Sequence, residues 1–171
     1  MMIALATAAL LGAPALPNPQ TVLPSDSWLT QADSACEARD FQGLFEAFIY
    51  SPEVRRKYSA PVLEQRTLDG RSVRNGPAET PDDFTIAGVD FNYGDAASIR
   101  RWEAGEAEWF VRLNVERLPQ PDGSVRVEYQ PGEFVEHDEG DGSDFVRATG
   151  PLAAYVFTPS ERCWRLTQHL R

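Results

Sequence analysis

A chain of 171 residues with 26 acidic against 16 basic side chains carries a formal net charge of −10 at neutral pH. That length supports a single hydrophobic core. The charge repels a phosphate backbone, so nucleic acid is not an expected partner, and past the N-terminal leader no apolar run approaches the roughly 20 residues that a membrane helix needs.

The leader, Met1 to Gly12, is apolar and uncharged but too short to span a bilayer. Ala13-Pro14-Ala15 puts small residues where a signal peptidase inspects the chain, and Leu16-Pro17-Asn18-Pro19 cannot continue a helix. Residues 1–15 therefore read as a signal peptide, lacking only the usual basic residue ahead of the apolar run, and the mature chain is expected to be secreted or periplasmic. No cysteine lies beside the cleavage site, which argues against a lipoprotein. In an oxidising compartment two cysteines far apart in sequence most often form a structural disulfide, so Cys36 and Cys163 are expected to be joined. Residues 16–32, spaced by prolines, read as a flexible tether ahead of one domain over residues 33–171.

Ser34-Ala35-Cys36-Glu37 fits a capping box and predicts a helix start. Phe41, Leu44, Phe45, Phe48 and Ile49 follow at helical spacing as one aromatic-rich stripe. Cys36, Asp40, Gly43 and Ala47 fall on the opposite side, where small residues let another element approach. Ser51-Pro52-Glu53 predicts a second, short helix carrying Val54 and Tyr58 on one face. The basic clusters Arg55-Arg56-Lys57 and Arg71 with Arg74 read as solvated faces, because nothing aromatic or glycine-rich accompanies them.

Everything past Ala60 reads as antiparallel sheet. Val62 to Thr67 is a short strand turned by Asp69-Gly70. The apolar residues from Phe84 to Tyr93 change phase at Gly88, which predicts a bulge or bend. Trp109, Val111, Leu113 and Val115 alternate with polar residues as a long strand, Pro119 to Gly123 turn it, and Val125, Val127 and Tyr129 return. A final pair runs from Leu152 to Phe157 and from Cys163 to Leu170; in its second arm Trp164, Leu166 and Leu170 share one face, with Cys163, Arg165, Thr167 and His169 on the other.

The order describes an α+β domain, with one or two N-terminal helices packed on a curved antiparallel sheet of about five or six strands. The aromatic helix, the bend at Gly88 and the closing Cys163-Trp164-Arg165-Leu166 resemble the nuclear transport factor 2-like and cystatin-like group of folds, and small exported bacterial proteins with a Phe-rich first helix. The resemblance implies a sheet wrapped around a helix with a pocket that serves enzymes in some members and binding in others. It carries no catalytic residue onto this chain.

If a pocket exists, its expected lining is Phe41, Phe45 and Phe48 with Trp109, Val111 and Leu113, while Arg112 or Asn114 points away. Asp40 and Asp90 are the candidate polar pocket groups. Of the two histidines, His137 lies in the acidic stretch Glu133 to Asp144 and His169 reads as a strand-surface residue. Asp138, Asp141 and Asp144 are spaced unlike the twelve-residue calcium loop, so a solvated loop is expected there and no metal or cofactor. Three functions fit: a non-enzymatic domain binding a small molecule or a protein, an enzyme of the same fold with a pocket carboxylate as general base, and an acidic inhibitor or toxin-neutralising protein.

Overall fold

The computed structural model describes residues 25–90, 92–136 and 142–171. The first helix, α1 (Ser25–Ala38), begins well before the expected start near Asp33, so part of the stretch read as a tether is helical and the Ser34 capping pattern sits inside a helix. It stops because Arg39 takes a left-handed conformation, φ +56°. Asp40 N–H then bonds Ala35 carbonyl at 2.8 Å and Arg39 N–H bonds Cys36 carbonyl at 3.2 Å, the paired closure of a helix C-terminus. The expected single helix is thus two, and α2 (Phe41–Tyr50) buries Leu44, Phe45, Phe48 and Ile49. The small seam does admit a neighbour, which is α1: a Cβ on Gly43 would lie 3.2 Å from that of Ala35. Ser51 accepts from Val54 N–H at 3.3 Å to start α3 (Pro52–Lys57), with proline in the first turn as expected.

The main sheet has six strands: β1 (Ser59–Arg66), β4 (Leu113–Pro119), β5 (Val125–Glu136), β6 (Ser143–Ala148), β7 (Ala153–Pro159) and β8 (Trp164–Leu170). Five run in the order β1-β8-β7-β5-β4, and β6 pairs with the far half of β5. The sheet is not purely antiparallel, since β1 lies parallel to β8. The expected bend at Gly88 is instead a hairpin of β2 (Ile86–Val89) and β3 (Asn92–Asp95), closed with Val89 opposite Asn92. That reversal accounts for the phase change. Gly88 itself makes room for Tyr50, because a Cβ there would sit 2.5 Å from the Tyr50 ring. A helix absent from the sequence reading, α4 (Ala96–Glu103), follows with Asp95 capping it through Ser98 N–H at 2.7 Å.

The long strand expected from Trp109 starts only at Leu113; Trp109 is 74% and Val111 41% exposed. The turn at Pro119–Gly123 is as the sequence predicts, and the final hairpin forms over the expected residues but with a register shift between Val156 and Phe157. Cys36 and Cys163 form the expected disulfide, tying α1 to the entry of β8 across 127 positions.

An aromatic column fills the space between helices and sheet. Phe41 and Phe48 meet Phe157 edge-on at 5.2 and 5.1 Å, Phe48 meets Phe84 at 5.0 Å, and Phe84 lies 4.4 Å from Tyr155. Tyr155 in turn stacks on His169 at 4.4 Å and on Tyr129 at 5.2 Å. The column therefore starts apolar under α2 and ends polar at the other end of the β7–β8 hairpin. No helix among the described residues is long and apolar enough to cross a membrane.

Candidate functional site

His169 corrects the sequence reading most sharply: it is 2% exposed instead of lying on a strand surface. The register between β7 and β8 shifts between Val156 and Phe157, so Leu166 faces Phe157 but Gln168 faces Val156 and His169 faces Tyr155. The extra residue, Thr167, reverses the alternation. It moves His169 to the face of Leu166 and Tyr155.

There the imidazole is held at both nitrogens. Nδ1 lies 2.6 Å from Oε1 of Glu79, and Nε2 lies 2.7 Å from the hydroxyl of Tyr129. Glu79 comes from an irregular segment that borders β1, where Leu63 N–H bonds the Glu79 carbonyl at 2.8 Å. Its carboxylate is 7% exposed; Oε2 has no hydrogen-bond partner and is faced by the Arg171 guanidinium at 3.7 Å. On the other side, Thr85 N–H donates to the Tyr155 oxygen at 3.0 Å, and the Tyr155 hydroxyl donates back to Thr85 Oγ1 at 3.1 Å. Burial, reinforced by the Glu79 charge, raises the Tyr129 pKa, and burial lifts that of Tyr155 well above the ordinary phenol value. Both phenols therefore stay protonated at neutral pH and keep a hydrogen to donate.

This polar chain reaches a cleft of about 390 Å³. Val111, Leu113, Pro131, Pro151, Leu152 and Ala153 make it largely apolar; Thr85, Tyr129 and His169 supply its buried polar end, and Arg74, Arg171 and Asp95 also line it. Such a site has the size and the mixture of apolar lining with few convergent polar groups that suit a small molecule. A second, more polar cleft of about 700 Å³ lies between the β2–β3 hairpin and the β4–β5 ribbon. Its cation is already engaged: Arg112 donates to Asn92 Oδ1 at 2.7 Å, bonds Glu136 and Ser143, and covers the Phe134 ring at 4.2 Å.

Of the expected lining, Leu113 and Val111 reach the apolar cleft, whereas Phe45 and Phe48 are core residues and Phe41 packs against the core. Trp109 lines neither cleft. Arg112 and Asn114, expected to point away from any pocket, line the polar cleft. Asp40 is exposed at the start of α2 with its carboxylate beside Gly43, and Asp90, exposed at φ +43°, lines the polar cleft. Asp144 is exposed on β6. Asp138, Asp141 and His137 lie outside the described residues, as do the expected signal peptide and residues 16–24. The sequence reading missed Glu79, which sits in no periodic segment, and placed Tyr129 only on the returning strand.

No protein-family model matches the chain, and no curated protein matches it in sequence. Among solved structures it is similar to Aln2 from a Streptomyces species, with 13% identity over 91% of this chain and 92% of that one and a TM-score of 0.31.

Proposed function

We propose that this is an exported α+β domain of the nuclear transport factor 2-like kind that binds a small molecule in the cleft above Tyr129 and His169. N-terminal helices packed against an open six-stranded sheet support the fold reading, and the disulfide supports export to an oxidising compartment. One observation carries the binding reading: a buried Glu79–His169–Tyr129 chain ends at an apolar cleft. Desolvating three such groups is costly, and a core built only for stability would fill the space beside them with hydrocarbon. A ligand that meets both the apolar walls and the polar end uses the whole arrangement.

The test is a fragment set of small amphipathic molecules, read by saturation transfer on the ligand in the intact protein. Fragments should bind at the cleft, and Ala153→Trp, which fills it, should abolish their signals while leaving those of the folded backbone. Fragments that bind equally well to Ala153→Trp would place binding elsewhere and reject the reading, as would a set with no binder.

A second reading, an enzyme of this fold, is favoured by the same chain, because a histidine oriented by a carboxylate is a recurring general-base arrangement. His169 then replaces Asp40 and Asp90 as the base. A bound fragment recovered chemically unchanged after prolonged incubation counts for the binding reading; a changed mass, lost in His169→Gln, counts for the enzyme.

A further inference from the structure

We propose that the cleft selects ligands that bring a hydrogen-bond donor, an alcohol or N–H on a small apolar body, to the Tyr129 oxygen. The inference rests on the binding reading above and specifies the chemistry of its polar end. It follows from the direction in which the hydrogens run along the buried chain.

A carboxylate only accepts hydrogen bonds, so Glu79 Oε1, 2.6 Å from Nδ1, places a hydrogen on Nδ1 of His169. A neutral imidazole with that hydrogen has a lone pair at Nε2. The Tyr129 hydroxyl, 2.7 Å away, is consequently the donor to Nε2. Its single hydrogen is spent on His169, and its oxygen has two lone pairs left. Tyr155, the phenol stacked on Tyr129, spends its own hydrogen on Thr85 Oγ1. Because Tyr129 lines the cleft beside His169, its oxygen lone pairs are what this phenol offers to a ligand. An acceptor-only group would set lone pair against lone pair and leave a buried oxygen unmet, whereas a donor completes the chain.

Isosteric pairs make the test direct: indole against benzofuran, and cyclohexanol against cyclohexanone, titrated by protein-observed NMR. The titrations are run at pH 8, above the ordinary imidazole range. The donor member of each pair should bind about 10-fold more tightly, the ratio expected for one buried hydrogen bond gained against one polar atom left unmet. In Glu79→Leu nothing holds the hydrogen on Nδ1, so Nε2–H can donate to Tyr129 and turn the phenol hydrogen toward the ligand. The donor preference should then vanish or reverse.

Should that variant fail to fold, the wild-type ratio still decides, together with imidazole ¹⁵N shifts that report the Nδ1–H tautomer. Equal affinities, a preference for the ketone and benzofuran, or an Nε2–H tautomer in the wild type would overturn the donor rule while leaving the binding reading intact. If neither member of either pair binds, both fall.

Discussion

At the scale of single residues, the polar groups of this chain fall into two kinds whose removal has different consequences. Glu133 and Arg147 make a two-pronged ion pair at 2.7 Å on the exposed β5–β6 ribbon, with side chains 51% and 69% accessible. Water substitutes readily for either partner, so such a pair contributes little. Glu79 and His169 are the opposite case, 7% and 3% accessible in their side chains. Removing the carboxylate leaves Nδ1–H of His169 without its acceptor in a region closed to solvent. Glu79→Ala should therefore lower unfolding free energy by about 2–3 kcal/mol, read from urea denaturation. Glu133→Ala should leave the midpoint where it is. A Glu79 variant as stable as the wild type would mean that the cleft is wetter than the contacts indicate.

At the scale of elements, the chain is legible where one local signal decides and opaque where a distant partner does. Phe41 through Ile49 announce their helix because burial of a stripe at helical spacing needs no knowledge of the rest of the chain. Ser51-Pro52 likewise announces α3. The break at Arg39 is hidden because its residue type is wrong for its conformation: a left-handed helix terminus favours glycine, and arginine strains there. Its compensation is a bond from Arg39 Nη2 to the Glu161 carbonyl at 3.0 Å, 122 positions away, which no local pattern shows. The same limit hides His169, whose face is set by a bulge in its pairing with β7. Glu79 is hidden too, since it meets its histidine from a segment with no periodicity. The Arg39 account can be checked with two variants that both lose the Glu161 bond. Arg39→Gly relieves the strain and Arg39→Ala keeps it, so the glycine variant should be the more stable of the two by about 1 kcal/mol in urea denaturation. Equal midpoints would show that the left-handed turn costs the native chain nothing.

At the scale of the whole molecule, the disulfide and the cleft occupy opposite ends of one hairpin, and this separates stability from binding. Cys163 enters β8 beside Trp164, whereas His169 lies near its far end, with about five residues or roughly 16 Å of strand between them. Ser160 fastens the turn ahead of the cysteine through its N–H and hydroxyl, at 2.7 and 3.0 Å from the Cys163 carbonyl, so the bond anchors α1 to a part of the sheet that is already well defined. Its contribution lies chiefly in restricting the unfolded chain. For so long a loop the chain-entropy model allows up to about 5 kcal/mol, an upper figure because residual structure in the unfolded state reduces it. Cys36→Ser and Cys163→Ser each abolish the same closed loop, so they should lower the melting temperature by similar amounts, on the order of 10 °C for a domain of this size. The double variant should fall no further. The cleft is lined by residues of β4, β5, β7 and β8 and of other segments, neither cysteine among them, so a reduced protein kept below its new melting temperature should bind cleft fragments with unchanged affinity. Additive melting shifts would show that the cysteines contribute through separate packing contacts. A loss of affinity on reduction, with the fold intact, would show that the two ends of the hairpin are mechanically coupled after all.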